Sequence, residues 1–411
     1  MFKFNSQRHA SVSDRPLVTE PRILWKAPVG TTGWLNNPII ADQSVFVGSG
    51  GYLWDMPDYP DYAKSQATDG VYAFDLQTGR RKWYSPANND VNSVVWADQK
   101  VIATGDEAAV WALDSQTGKR LWYTSIKGIG FQLLVQEQRI IVGDQAGQLL
   151  WLDAQTGKVL ISTQLDGPIR AGAASNGKLI FTATTQGTLY AFDAASGKLK
   201  WKQRLQEIYP EYVDPSVPLE VYGVPTVVGS QVIFGFSRDT LYDQPALVAL
   251  DTQNGKLRWK GQQGEEKVDW GNIRTSPAFA DNHLIYAEPY SNQIVSLDSA
   301  TGALERVSYA GAPMFPQWSS PAIARNTAYV PRFDGTLNAI NIHNGELEWS
   351  MYIGQHQLAG QDMPLIWLSE ITDAEWRPYF GDVIYSSPAL SQQGHILIPA
   401  AGYLYCIGNA E

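Results

Sequence analysis

The chain has 411 residues and a formal net charge of −10 at pH 7, and its lysines and arginines form no block, which argues against a nucleic-acid partner. No apolar run approaches the roughly 20 residues that a membrane-spanning helix needs, so no membrane span is expected. The one cysteine, Cys406, excludes an intrachain disulfide.

The chain begins with a polar segment, MFKFNSQRHASVSDRP, that lacks the apolar core of a secretory signal peptide. We therefore expect residues 1–21 to form a loosely ordered N-terminal tail and residues 22–411 to form one domain. As written, the sequence predicts a monomeric cytoplasmic protein, or a periplasmic one if a leader has been removed.

The first predicted strand, RILWKAPVG (22–30), contains a tryptophan and has no partner before it in the sequence. A cassette then recurs, in which an apolar β-prone run leads to Asp and Gly follows four positions later. Four positions after the Gly comes Trp, except in two copies, which have Ile161 and Arg306. Examples are VYAFDLQTGRRKW from Val71, VWALDSQTGKRLW from Val110, LYAFDAASGKLKW from Leu189, LVALDTQNGKLRW from Leu247 and LNAINIHNGELEW from Leu337. The pairs are Asp75/Gly79, Asp114/Gly118, Asp153/Gly157, Asp193/Gly197, Asp251/Gly255, Asp298/Gly302 and, with Asn, Asn341/Gly345.

Each part of this cassette has a local physical reason. The apolar run suits a strand that is covered on both faces. The Asp or Asn accepts amide hydrogen bonds within the turn, and Gly supplies the positive φ that the turn requires. In the strand that follows, alternation is expected to place Leu199 and Trp201 on one face and the neighbouring lysines on the other, as suits an outer edge strand. The cassette therefore predicts architecture rather than chemistry.

Segments rich in small residues precede the cassettes, such as TSPAFADNHLIYAEP, SSPAIARNTAYVPRF and SSPALSQQGHILIPA, and fit strands that converge near the axis of a ring. The period of about 40 residues is typical of four-stranded propeller blades. Seven units are complete, and an eighth, beginning at Tyr385, stops before its outer strand. We predict an all-β, eight-bladed propeller of four-stranded blades, closed by the N-terminal strand, which completes the last blade.

These cassettes resemble the pyrroloquinoline-quinone (PQQ) propeller repeat over nearly the whole chain. That family includes quinone-dependent dehydrogenases and BamB-like assembly scaffolds that have lost the cofactor. The resemblance to the enzymes implies a PQQ beneath a disulfide between adjacent cysteines, and a calcium ion held by acidic and amide side chains. This sequence has no second cysteine, and no calcium ligand or catalytic aspartate can be matched. We therefore assign no catalytic, cofactor-binding or metal-binding residue, and expect a non-enzymatic protein without a cofactor.

Long insertions occur in only one class of connection. In a four-stranded blade, the loop after the second strand and the loop to the next blade open on one side of the ring, which we call the loop face. The two hairpin turns open on the opposite side, the turn face. Residues 51–70, 206–220, 237–244, 261–272 and 355–382 are all loop-face insertions, whereas the turn-face connections are short. One elaborated face on a rigid ring is typical of a binding surface.

The insertions carry aromatic residues that we predict to form a partner-binding face, because aromatic side chains are favoured anchors in interfaces. They are Trp54, Tyr59, Tyr62, Tyr209, Tyr212, Tyr242, Trp270, Trp367, Trp376 and Tyr379. With the neighbouring carboxylates they would make an acidic, aromatic-lined mouth suited to a basic or apolar peptide. The sequence thus favours a scaffold for a protein or peptide partner. Two alternatives stay open: the aromatics could pack the loops down, or the axial funnel could bind a small ligand such as a sugar or PQQ, as in a PQQ-dependent dehydrogenase.

Overall fold

Eight separate β-sheets make up the fold. The computed structural model describes residues 5–30, 32–33, 35–50, 68–210, 219–237, 245–266, 268, 273–289, 291–311, 319–332, 334–353, 384–400 and 402–410. Within these ranges, the helical structure is a single short turn, α1 (Leu205–Ile208).

The first four blades each contain four antiparallel strands, named in order from the axis outward. Blade 1 consists of β3 (Ile39–Ala41), β4 (Ser44–Ser49), β5 (Gly70–Asp75) and β6 (Arg81–Pro86). Blade 2 consists of β7 (Val91–Ala97), β8 (Lys100–Gly105), β9 (Ala109–Asp114) and β10 (Arg120–Ser125). Blade 3 consists of β11 (Leu134–Gln136), β12 (Arg139–Gly143), β13 (Gln148–Asp153) and β14 (Val159–Gln164). Blade 4 consists of β15 (Ala174–Ser175), β16 (Leu179–Ala183), β17 (Thr188–Asp193) and β18 (Leu199–Arg204).

The remaining four blades follow the same plan, but the last one uses both ends of the chain. Blade 5 consists of β19 (Thr226–Val228), β20 (Gln231–Gly235), β21 (Leu247–Asp251) and β22 (Leu257–Lys260). Blade 6 consists of β23 (Ala278–Ala280), β24 (His283–Ala287), β25 (Gln293–Asp298) and β26 (Leu304–Tyr309). Blade 7 consists of β27 (Ala322–Ala324), β28 (Thr327–Pro331), β29 (Thr336–Asn341) and β30 (Leu347–Tyr352), with β1 (Ser11–Val12) added at the axis. Blade 8 consists of β31 (Ala389–Leu390), β32 (Ile396–Ala400), β33 (Tyr403–Asn409) and β2 (Pro21–Pro28).

The N-terminal strand closes the ring. β2 pairs antiparallel with β33, so that Trp25 lies opposite Cys406 and Lys26 opposite Tyr405. Blade 8 therefore takes its outer strand from the other end of the chain, which removes the open ends of the array. The predicted all-β architecture of eight four-stranded blades and its N-terminal closure are confirmed.

The hydrophobic core lies between neighbouring blades. The third strand of each blade is covered on both faces, and in β13 the side chains of Leu149, Trp151 and Leu152 are fully buried. Residues of blades 2 and 3, such as Val110 and Ile140, belong to one continuous apolar cluster. This two-sided burial explains why these strands are apolar throughout rather than alternating.

The Trp and Gly of the cassette form a clasp between blades. The Trp83 indole N–H donates to the carbonyl of Ser115 in the next blade, at 3.0 Å. Its ring lies so close to Gly118, which has a φ of +70°, that a Cβ there would approach the ring to 2.6 Å. Arg306 replaces Trp in blade 6, and its guanidinium donates to Ile342, the equivalent carbonyl, at 2.7 Å. These contacts show that the cassette Trp and Gly hold neighbouring blades together.

A β-bulge changes the predicted alternation of the outer strand. Trp201 pairs with Ala191 while Leu199 pairs with Phe192, so Lys200 is an extra residue in the ladder. As a result Trp201 is 7% exposed and Leu199 is 50% exposed. The prediction that these two side chains share a face is wrong, because the bulge reverses the alternation at this point.

In blade 8, hydrogen bonds between the two ends of the chain replace the hairpin turn that joins the third and fourth strands of the other blades. The Asn409 side-chain oxygen accepts the backbone N–H groups of Thr19 and Glu20, at 2.8 and 3.0 Å, as the cassette Asp does in other turns. The Asn409 side-chain amide donates to the Leu17 carbonyl at 2.8 Å. The Trp349 indole of blade 7 donates to the Val18 carbonyl at 2.6 Å. The inter-blade clasp therefore continues across the junction.

Residues 5–20 pack against the ring, so the prediction of a loosely ordered tail is wrong for this segment. Arg8 is fully buried, and Ala10 and Val18 are 1% and 2% exposed. β1 runs parallel to β27, with Ser11 opposite Ile323. The packing of this segment could not be predicted from the sequence, because many of its contacts are backbone hydrogen bonds, which require no hydrophobic pattern.

Candidate functional site

The strand order confirms that the long insertions share the loop face. They connect β4 to β5, β18 to β19, β20 to β21, β22 to β23, and β30 to β31, each of which is a second-to-third strand or blade-to-blade connection. Of the predicted partner-binding residues, nine lie outside the described residues: Trp54, Tyr59, Tyr62, Tyr212, Tyr242, Trp270, Trp367, Trp376 and Tyr379.

Tyr209 is the predicted partner-binding residue that the structure describes, and it is buried. Its side chain is 1% exposed, and its hydroxyl donates to the Leu247 carbonyl at 3.1 Å. Its ring packs on Phe236 at a centroid distance of 4.8 Å, and the Lys260 ammonium lies 4.3 Å from its centroid. Tyr209 therefore anchors its insertion to blade 5, and its assignment to the partner-binding face is corrected.

A belt of hydrogen bonds joins the innermost strands at the loop-face end of the axial channel. The backbone N–H of Val224 donates to the Ser276 hydroxyl at 2.7 Å, and that of Ser276 to the Ser320 hydroxyl at 3.0 Å. The Ser320 N–H donates to the Ser387 hydroxyl at 2.8 Å, and that of Ser387 to the Asn37 side-chain oxygen at 2.7 Å. Small residues were expected at these positions because strands converge. Three serine hydroxyls and the Asn37 side-chain oxygen also join five consecutive blades at this rim.

Two arginines and a tyrosine occupy equivalent positions on three consecutive blades at this rim. Arg170, Tyr222 and Arg274 each lie four residues before the first strand of blades 4, 5 and 6. The guanidinium carbon of Arg170 is 5.8 Å from the Tyr222 ring centroid, and that of Arg274 is 5.4 Å from it, so Tyr222 contacts both cations. The Tyr222 hydroxyl donates to the Glu220 carboxylate, and burial raises the pKa of Tyr222 well above its usual range.

Buried carboxylates also lie on the loop face, in blades 1 to 3. Asp69, Asp90 and Asp144 are 1%, 4% and 0% exposed. Burial raises the pKa of the Asp106 and Asp144 carboxyls, although Asp106 accepts a hydrogen bond from the Asn92 amide at 2.8 Å. The described loop-face residues therefore carry both signs of charge, with the carboxylates and the arginine pair on different blades.

The sequence does not reveal the arginine–tyrosine group, because its members are separated by about 50 residues and belong to no local motif. Aligning the blades on their first strands shows arginine at this position in blades 4 and 6, where the other blades carry Leu35, Ala87, Gly130, Tyr222, Trp318 or Tyr385. That signal lies in the departures from the repeat rather than in the repeat itself.

The resemblance to the quinone-dependent enzymes implies a calcium ion beside the quinone. Among the residues that the structure describes, no three His, Cys, Asp or Glu side chains gather in a way that could hold a metal ion. Cys406 lies buried in β33, where burial raises the pKa of its thiol to about 12. We therefore derive no chemical step through a quinone.

Comparison with known proteins supports the architecture. The family model for outer membrane protein assembly factor BamB matches residues 11–132, 106–316 and 267–370. No curated protein is similar enough in sequence to match the chain. In the described part of the chain, no helix is long and apolar enough to cross a membrane.

Several solved structures share the fold at low sequence identity. BamB from Moraxella catarrhalis is 13% identical, with a TM-score of 0.65, covering 94% of this chain and 99% of that one. A europium-containing methanol dehydrogenase is 14% identical, with a TM-score of 0.67, covering 97% of this chain and 88% of that one. A computationally designed protein, Ika8, is 13% identical, with a TM-score of 0.61, covering 92% of this chain and 97% of that one. At such identities the likeness shows the fold alone.

Proposed function

The chain belongs to the family described as outer membrane protein assembly factor BamB, and from that premise we propose that it is a non-enzymatic scaffold that binds a protein or peptide partner on its loop face. The family description names a factor in protein assembly, which favours a macromolecular partner over a small substrate.

The observation that carries this proposal is the contrast between the two faces. On the turn face, the same turn recurs around the ring: Asp114, Asp153 and Asp193 each accept the backbone N–H three residues later, at 2.8, 2.8 and 2.9 Å. All long insertions connect strands on the loop face. A rigid frame with one variable face presents loops without altering the core that supports them.

Photo-crosslinking tests the proposal directly in cells of the native host. A photoreactive amino acid at Trp54 or Trp367 should crosslink to the same partner protein, whereas placement at Gln77 or Gln116, exposed residues of turn-face hairpins, should not.

Replacing Trp54, Trp367 and Trp376 with Ala should weaken partner capture and leave the melting temperature unchanged. The matched control replaces Gln77, Gln116 and Gln253, which occupy one equivalent turn position in three blades, with Ala. Loss of capture in the control set and retention in the tryptophan set would refute the proposal.

Binding of a small anionic ligand in the axial funnel is the second candidate function, and the arginine–tyrosine group favours it. The guanidinium groups of Arg170 and Arg274 both lie within 6 Å of the centroid of the Tyr222 ring, at 5.8 and 5.4 Å. Guanidinium groups recognise carboxylates and phosphates well. Incubation with PQQ and calcium, followed by measurement of quinone absorbance and dye-linked alcohol oxidation, separates the two functions. Stoichiometric quinone uptake would favour a ligand site in the funnel, oxidation in addition would favour an enzyme, and no uptake would favour the scaffold over a quinone site.

A further inference from the structure

The N-terminal segment of the chain, residues 5–12, lies along the innermost strands of the ring. The segment is held by backbone N–H groups from the innermost strands of blades 4 to 7, each of which donates to one of its carbonyls. These hydrogen bonds are Ser175 to Ser6 at 2.7 Å, Val227 to Gln7 at 2.9 Å, Phe279 to His9 at 2.7 Å, Ile323 to Ala10 at 2.7 Å and Arg325 to Val12 at 3.0 Å. Four blades thus bind one short stretch of backbone.

Arg8 anchors this segment across the axis. Its side chain is fully buried, and its guanidinium donates to the carbonyls of Ala173 and Leu133, at 3.0 and 2.8 Å. These carbonyls belong to blades 4 and 3, so the side chain points away from the blades that hold the backbone of residues 9–12. Burial lowers the pKa of Arg8 to about 9, which leaves it charged at neutral pH. A charged donor that is matched by carbonyls from two blades is a specific recognition contact.

The residues that follow Arg8 fit the channel through their size and polarity. A ring nitrogen of His9 lies 2.6 Å from the Val227 carbonyl, and the ring makes an edge contact with Phe279 at a centroid distance of 5.0 Å. Ala10 is 1% exposed and lies in an apolar cluster with Ile323. A larger side chain would not fit at Ala10 without displacing that cluster.

We propose that the innermost strands of blades 3 to 7 form a peptide-binding groove, occupied in the free protein by the chain's own residues 5–12, which dock and leave as a unit while the ring stays folded. The groove recognises a turned backbone that carries an arginine anchor and a small residue two positions later, at φ values of +64° and +57°. This site is separate from the loop-face proposal, because its backbone hydrogen bonds come from the innermost strands and not from the long insertions.

The covalent link makes the segment a tethered ligand. Residues Ser13 and Asp14, which connect it to the closing strand β2, are exposed. A short tether holds a docked peptide at an effective concentration in the millimolar range, so occupancy is high even if the free peptide binds modestly. Cutting the tether would remove this advantage and reveal the intrinsic affinity of the groove.

The test uses the full chain with a specific protease site inserted between Ser13 and Asp14. After folding and cleavage, a fluorescein-labelled synthetic peptide of residues 1–13 is added, and its binding is followed by fluorescence anisotropy. We expect the peptide to bind the cleaved protein in a ratio of one to one and not to bind the uncleaved protein. Circular dichroism should show that the ring remains folded when the cleaved segment is washed away.

Peptide variants identify the anchor. Arg8→Ala should weaken binding by at least about 100-fold, because two charged hydrogen bonds are lost and their buried carbonyls are left unpaired. The matched control is Gln7→Ala, since Gln7 is only half-buried and its bond to the groove comes from its backbone carbonyl. Gln7→Ala should change the affinity by less than about threefold. Equal losses for both variants, binding to the uncleaved protein, or unfolding of the ring on release would each overturn the proposal.

Hydrogen exchange on the unmodified chain provides a measurement that does not depend on the insertion. The amides of Val227, Phe279 and Ile323 should exchange together and faster than the amides of β9, because release of the segment exposes the first group without unfolding the blades. Exchange of both groups only through global unfolding would show that the segment is an integral part of the core, and the proposal would fail.

Discussion

Replacing Gly118 with Ala tests whether the cassette glycine is required by its turn and by the tryptophan of the preceding blade. At Gly118, φ is +70°, and a new Cβ would lie 2.6 and 2.7 Å from two carbons of the Trp83 ring. An L-residue in this left-handed conformation costs about 1–2 kcal/mol. Displacing a packed ring adds about 1–3 kcal/mol. The expected loss in the free energy of unfolding is therefore about 2–5 kcal/mol.

Gly229 provides a matched control for this substitution. It also has a positive φ, +56°, but a Cβ there would meet nothing within 4 Å. Gly229→Ala should therefore cost only the backbone term of about 1–2 kcal/mol. Both substitutions reduce the entropy of the unfolded chain equally, so their difference isolates the contact with Trp83.

Urea denaturation, followed by circular dichroism, measures these differences. In a Trp83→Leu background, the additional loss caused by Gly118→Ala should fall toward the value for Gly229→Ala, because the ring that opposes the new Cβ is gone. Equal losses for Gly118→Ala and Gly229→Ala in the wild-type background would refute the argument that the indole determines the choice of glycine.

Two further predictions concern the closing junction and the turn carboxylates. Asn409→Ala should lower the free energy of unfolding by about 1–2 kcal/mol, because hydrogen bonds that join the two ends of the chain are lost. Asn409→Asp keeps the acceptor but loses the donor to Leu17, so it should lose less stability. Equal stability of the wild type and both variants in urea denaturation would contradict this role. The hydroxyl and backbone N–H of Thr117 hold the pKa of the Asp114 carboxyl below its ordinary value of 3.8, so its contribution to stability is present above pH 3.8 and is lost as pH falls through the folded-state pKa. The stability difference between the wild type and Asp114→Asn should therefore shrink below pH 3.8, and a difference that grows in acid would contradict the assignment.

The sequence alone determined the architecture, because the features that specify a blade are local and repeated. Asp114 and Gly118 lie four residues apart in one turn. That turn needs a hydrogen-bond acceptor and a residue with positive φ, and each copy of the cassette provides both. Counting copies then gave eight blades, and the unpaired strand around Trp25 predicted how the ring closes. The tertiary structure was needed to show that the tryptophan packs on the glycine of the next blade.

The tertiary structure alone decided how residues outside the repeat are used. Tyr209 looked like the other loop aromatics, but a hydrogen bond to the Leu247 carbonyl and contact with Phe236 bury it. Arg8 belonged to a polar segment with no pattern, yet its guanidinium reaches a carbonyl 165 positions away. Ring closure brings distant parts of the chain together at the axis. Many contacts there are made by backbone carbonyls and N–H groups, which do not depend on the residue type. Such contacts leave no trace in the sequence, whereas the turns between strands do.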